Sequence, residues 1–279
     1  MTQFAIRTLL AVSLVALASS PAMAQAPLSA AETYADLADL ADSAGLVAHA
    51  QVHKLTRVSN ERAPGLSPGE GRFYVTGKTR ALLFGRQAIP DKLAWLVDLP
   101  LDSRGKPPRL GKREVIVFAR PVAGRPGDLQ LVGRNSQIMF SEPTIARLRP
   151  ILAEMAAPNA PPPVTGLREI IHVPGNLAGS GETQMFLARA DGSAASITVR
   201  HQPGLAPAWG VSFSELVAQA NGGPARDTLA WYRLACFLPD RLPPRVNLSA
   251  SAADRQQALS DYRMVLGELR PCPRTRTRG

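Results

Sequence analysis

Apolar and polar residues alternate from residue 46 to 55. Leu46, Ala48, Ala50 and Val52 fall on one side and His49, Gln51 and His53 on the other, which is the period-two mark of a half-buried strand. Just before it, Tyr34, Leu37 and Leu40 recur at spacings of three and four, with Asp36, Asp39 and Asp42 facing away. That pattern predicts a helix over residues 30–44. Ser29 is placed to cap it with Glu32 three positions on, and Gly45 ends it. Four more strands are expected at residues 72–84, 93–99, 114–120 and 129–132, separated by turn-formers such as Asp102-Ser103-Arg104-Gly105 and Gly124-Arg125-Pro126-Gly127. One helix followed by five strands fits a small, mostly antiparallel barrel.

The pattern then changes period. Ile145, Leu148, Ile151, Leu152 and Met155 form one stripe over residues 142–156, with Pro150 at the middle, so the helix there is expected to be kinked or split. Residues 158–163 hold four prolines and read as a stiff linker. Strands are expected again at residues 167–173, 183–190, 195–201 and 208–211, with Asp191-Gly192 as a hairpin signal. Helices follow at 214–220, 228–236 and 252–269. The last carries Leu259, Tyr262, Val265, Leu266 and Leu269 on its buried stripe and stops at Pro271. The expected fold class is α+β: an antiparallel barrel with a leading helix over 29–133, a kinked helix and linker over 134–163, and an α+β domain ending in helices over 164–279. With an expected export tag over residues 1–24 set aside, residues 25–279 suit two small domains at roughly 100 to 200 residues each.

Three segments carry a resemblance. The helix with Tyr34-Ala35-Asp36-Leu37 and Asp42, the strand Leu46-Val47-Ala48-His49-Ala50-Gln51-Val52, and the run from Leu110 through Gly111 to Phe118 and Pro121 together resemble an OB-like barrel domain of exported bacterial proteins, over about 100 residues. Ala50 stands where that pattern usually has glycine. Tissue-inhibitor-like members of the wider fold place an N-terminal cysteine on a protease metal, and no cysteine stands there in this chain, so that activity is not implied. The whole chain, through Thr228-Leu229-Ala230-Trp231-Tyr232-Arg233 and on to Pro239, also resembles uncharacterised exported proteins of sphingomonad-type bacteria. That likeness implies export and lends no activity.

The N-terminus points the same way. Residues 1–7 carry one positive charge, residues 9–18 are apolar, and Ala22-Met23-Ala24 offers the small-x-small pattern cut by a signal peptidase. Cleavage near Ala24 is expected to leave a periplasmic or secreted chain starting at Gln25, with no transmembrane segment of about 20 apolar residues. In an oxidising compartment the two cysteines, Cys236 and Cys272, are expected to form one disulfide that staples the C-terminal part.

A net charge of +10 invites a nucleic-acid reading, but only 5% of residues are aromatic and the arginines and lysines are spread along the chain. No nucleic acid is expected; an envelope protein or an anionic polymer suits an exported basic chain better. The Arg274-Thr275-Arg276-Thr277-Arg278 tail is expected to be frayed and solvated.

No catalytic or cofactor signature stands out, and neither a metal nor a cofactor is expected. His49 and His53 lie four residues apart on a strand, about 13 Å, too far for one zinc ion, and read as exposed. The segment from His172 through Val173-Pro174-Gly175-Asn176 to Gly179-Ser180-Gly181-Glu182 joins a strand to a glycine-rich loop bearing a hydroxyl and an acid. His172, Ser180 and Glu182 are therefore the candidate catalytic residues, although the serine lacks the G-x-S-x-G elbow. Trp209, Trp231 and Tyr232 read as core anchors. The leading expectation is an exported, non-enzymatic protein that binds a protein or an anionic envelope component; a hydrolase using the loop of residues 172–182 is the alternative.

Overall fold

The computed structural model describes residues 32–134, 136–214 and 222–276. The expected export tag and most of the helix expected at 214–220 lie outside these residues. Among the described residues, ten strands and four α-helices give an α+β fold.

Helix α1 (Tyr34–Ser43) leads into β1 (Leu46–Arg57), β2 (Glu70–Gly85), β3 (Lys92–Pro100), β4 (Glu114–Pro121) and β5 (Asp128–Leu131). Its N-cap is Thr33, which forms a capping box with Asp36, in place of the expected Ser29 outside the described residues. The strand order β1-β2-β3-β5-β4 closes through β1–β4 pairing into a five-stranded barrel. All pairs are antiparallel except β3–β5, so the barrel is OB-like. Three register shifts along β1 bend that strand around the barrel. A short β6 (Gln137–Met139), not expected from the sequence, extends the edge of β4.

The barrel interior is apolar, with Ala48, Val52, Val75, Trp95, Val97 and Val117 among its buried side chains. Gly77 makes room for the indole: a Cβ there would lie 3.0 Å from Trp95 Cη2 and 3.1 Å from the Gln51 carbonyl. β1 and β4 are covered on both faces. Val115, Val117 and Ala119 point inward, whereas Ile116 and Phe118 join a second cluster that includes helix α2 (Glu142–Ala156). This explains why residues 115–119 are apolar without interruption. Helix α2 is a single helix, not split. Pro150 sits on its exposed side, while Ile145, Leu148, Ile151 and Leu152 are buried, so packing offsets the lost backbone hydrogen bond.

The second sheet is an antiparallel meander, β7 (Val164–Pro174), β8 (Gly181–Arg189), β9 (Ser196–His201) and β10 (Ala208–Ser212). Helices α3 (Leu229–Ala235) and α4 (Ala252–Leu269) complete it. Cys236, just after α3, bonds Cys272, just after α4, with the Cα atoms 5.4 Å apart. Trp209, Trp231 and Tyr232 are buried.

The described residues form one compact unit, and its larger core cluster runs from α1 through α2 into β7, β8, β9, α3 and α4. The segment at residues 158–163 therefore does not separate two cores; Arg233 donates to the Pro161 carbonyl at 3.0 Å. The acidic stripe of α1, expected to face water, is instead the dock for the C-terminal part. Arg233, 3% exposed, makes two hydrogen bonds to Asp42 at 2.6 and 2.7 Å. The Tyr232 hydroxyl donates to Asp39 at 2.6 Å, and Arg274 reaches the same carboxylate at 2.6 Å. Asp36, 2% exposed, accepts from the backbone and hydroxyl of Thr275 and the backbone of Arg276. The tail through Arg276 is thus bound rather than frayed. Burial pulls the Asp36 carboxyl up, but hydrogen bonds from Thr275 and Thr33 more than offset this and hold it below the usual carboxylate range.

Candidate functional site

Two places concentrate polar chemistry: the inner face of the second sheet and the outer face of the barrel.

On the second sheet, period-two alternation aims His172, Thr183 and His201 inward from β7, β8 and β9, next to Asp261 on α4. Asp261 is 2% exposed and lies on the apolar stripe with Ala258, Tyr262 and Val265. A buried carboxylate must be paired or hydrogen-bonded, and this one is. The Thr183 hydroxyl donates to its Oδ2 in a very short bond, Gln257 donates to Oδ1 at 2.9 Å, and His201 Nε2 lies 3.0 Å from both oxygens. Thr183 has one proton and gives it to Asp261. Its oxygen must therefore accept from His172 Nδ1, 2.8 Å away, which fixes His172 in the Nδ1-protonated form with Nε2 as acceptor. Burial pulls the His172 imidazole below its ordinary pKa; Asp261 opposes that and His201 adds to it. The His172 backbone N–H is taken by the Ser249 hydroxyl at 3.0 Å. Gly181 lies against the free nitrogen, where an added Cβ would sit 3.0 Å from Nε2.

The structure does not join His172 to its two expected partners. Ser180 Oγ donates to the Leu177 carbonyl at 2.7 Å and accepts from the Leu177 N–H, tying the loop to itself. Glu182 alternates with Thr183 along β8 and so lies on the opposite face of the sheet, where it accepts from Gln184 at 2.8 Å and stands 3.5 Å from Arg200. The partners His172 does have, Thr183, His201 and Asp261, escaped the sequence reading. A single aspartate at helical spacing among buried positions was the one available signal. The carboxylate and hydroxyl of the network are taken up within it, and neither of the two cavities on the barrel borders it.

His49 also differs from expectation. Its ring stacks on Phe140 at 4.0 Å between centroids, and Nε2 lies 3.0 Å from Glu114, so it is mostly covered, whereas His53 is exposed. The cover comes from the residue just after β6.

The barrel's outer face is different. On β2 and β3, Arg72 pairs across the strands with Asp98, and Tyr74 with Leu96. Arg72 donates to Asp98 through Nε at 2.7 Å and Nη2 at 2.9 Å, and this hydrogen-bonded partner raises the guanidinium pKa. Tyr74 and Leu96 are 43% and 49% exposed. They lie in an open cavity of about 1030 Å³ over β2, β3 and β5, lined by five arginines and two aspartates. Arg125 and Arg134 face Asp128 and Glu70 at 3.3 and 3.6 Å. Arg57 donates to the Gly105 carbonyl, and Arg62 has no ion-pair partner among the described residues. Both therefore bring uncompensated positive charge to an exposed aromatic and an exposed leucine.

Among the described residues no group of three or more histidine, cysteine, aspartate or glutamate side chains is placed to hold a metal ion, and no helix is long and apolar enough to cross a membrane. Neither a protein-family model nor a curated protein matches the chain.

Proposed function

We propose that this is an exported, non-enzymatic protein of the periplasm or cell exterior that binds an anionic envelope component in the groove over β2, β3 and β5. One observation carries the reading: an open cavity of about 1030 Å³ where Arg57 and Arg62, neither with an ion-pair partner among the described residues, stand beside exposed Tyr74 and Leu96. A guanidinium fork matches the oxygens of phosphate or carboxylate, and a tyrosine adds an apolar body with a polar tip. Export is supported by the pattern of residues 1–24 and by a disulfide of the kind that persists in oxidising compartments. The commitments of Ser180 and Glu182 to other partners favour binding over hydrolysis.

Calorimetric titration with glycerol 3-phosphate, and with glycerol as control, tests the reading. Binding is expected only for the phosphate, weaker by tenfold or more in Arg62→Glu, and unchanged in Arg263→Glu, which alters net charge equally at an exposed position of helix α4. Equal weakening in both variants would mean attraction to overall charge, and the groove assignment would fall.

A further inference from the structure

The groove over β2, β3 and β5 has an unfinished strand edge in its wall. Strand β3 pairs with β2 from Lys92 to Pro100, but with β5 only at Ala94 and Trp95. The Ala94 N–H donates to the Gly127 carbonyl at 2.9 Å, on the β5 side. Backbone groups alternate sides along a strand, so Asp98, four residues on, turns its N–H and C=O to that same side. No strand stands opposite it there among the described residues. The facing wall is similar. The Asp128 carbonyl accepts from Val122 on the β4 side, so Leu131, three residues on, turns its backbone groups away from β4 and toward the gap, where β3 offers no partner. The cavity touches every residue from Ala94 to Asp98 and from Asp128 to Leu131. A space lying only over one face of the sheet would meet alternate residues, so these unbroken runs place it along both strand edges as well.

We propose that an extended acidic segment of a partner protein enters this gap and pairs with the open edge of β3 as an added strand, its carboxylates toward Arg57 and Arg62. The proposal rests on reading the groove as an anion site and names the class of anion. The open edge selects a peptide. Its backbone groups recur about every 6.8 Å on one side of the strand, a repeat that another extended peptide matches group for group. A phosphate ester or an acidic polysaccharide has no such row of donors and acceptors. The charge of the groove selects the sign, because five arginines line it against two aspartates.

The test uses the full mature chain and a hexapeptide of alternating glutamate and valine, blocked at both ends, with affinity read by calorimetry. Methylating either the valine amides or the glutamate amides removes the donors on one side of the extended peptide and spares the other. One of the two methylated peptides should bind at least about tenfold more weakly, while the other stays within about threefold of the unmethylated one. Arg62→Glu should weaken the unmethylated peptide by about tenfold or more. Asp98→Pro removes the N–H on the open side and keeps the pairing with β2, so it should bind at least about fivefold more weakly than Asp98→Ala, which loses the same ion pair with Arg72 but retains the N–H. Should Asp98→Pro fail to fold, the methylated peptides decide alone. Three results would overturn the added strand: no binding of the peptide, equal weakening by both methylations, or trigalacturonate, with the same three carboxylates, bound as tightly as the peptide. Glycerol 3-phosphate still bound through Arg62 would then leave the anion groove standing, and its failure to bind would overturn both.

Discussion

The barrel and the second sheet are both built from antiparallel strands with alternating faces, yet they place their polar chemistry on opposite sides. The barrel keeps an apolar interior around Trp95 and carries its arginines, Tyr74 and Leu96 outside. The second sheet turns His172, Thr183 and His201 inward onto Asp261 and α4. The consequence is functional. A buried network must satisfy most of its groups to exist, so the Asp261 carboxylate and the Thr183 hydroxyl spend their hydrogen bonds inside the fold. Charge held at a surface in contact with water remains available to a ligand, and the barrel face is where uncompensated arginine stands.

That contrast can be broken experimentally, beginning with the barrel interior. Trp95→Ala should cost about 3 to 5 kcal/mol in urea unfolding, because a fully buried indole is replaced by a cavity; a loss under about 1 kcal/mol would mean the barrel interior is not close-packed. Next comes the staple of the other half. Replacing both Cys236 and Cys272 by serine should cost about 3 to 4 kcal/mol, for a loop with sequence separation 36. The same change should raise hydrogen exchange at the Thr275 amide, which donates to Asp36. Protection that persists would show that the α1 dock holds the tail without the disulfide.

Asp261→Ala should cost about 3 kcal/mol, since it strands the buried Thr183 hydroxyl and takes the partner from half-buried His201 and Gln257. On the barrel's outer face, by contrast, Arg62→Glu should change stability by under about 0.5 kcal/mol while weakening phosphate. Similar unfolding curves for both variants would erase the distinction between a closed network and an open site.

The subtlest effect is on pH dependence. Folding holds His172 below the ordinary imidazole value of about 6.5, so the unfolded chain takes up that proton first as pH falls. Its contribution is complete above the unfolded value and is lost as pH drops below it toward the folded one. The groups facing His172 are Asp261, His201 and Asp254, and the first and last of these oppose the shift. Stability measured by urea from pH 7 to 5 should decline less steeply in His172→Gln than in the parent. Identical slopes would show that His172 does not titrate on unfolding.

Much of the architecture is legible in local pattern. Apolar runs and alternation bounded by turn-formers locate β1 to β5 and β7 to β10, and the stripe ending at Leu269 gives α4 its bounds at Ala252–Leu269. These follow from side-chain periods fixed by backbone geometry, which the chain cannot hide. The pairing of Cys236 with Cys272 follows from there being only two cysteines. The candidate sites were far less visible. His172 stands out beside its glycine-rich loop, but its partner Asp261 lies beyond three further strands and helix α3 in sequence, and nothing local distinguishes that carboxylate from a solvated one. The arginines of the groove come from β1, the β1–β2 loop, β2, the β4–β5 turn and the β5–β6 connection, so only the folded barrel gathers them.

By itself, then, the sequence determined the succession of strands and helices, the barrel that five of them form, and the disulfide, because each depends on residue spacing or on a count. Tertiary structure decided which polar stripes face water. Asp36, Asp39 and Asp42 have the spacing of a solvated helix face, yet Thr275, Arg274, Tyr232 and Arg233 arrive from the far end of the chain to cover them. An amphipathic pattern records that a face is polar. Whether that face meets water or a complementary charge depends on what the rest of the chain brings to it, and burial pays only when every hydrogen bond is replaced.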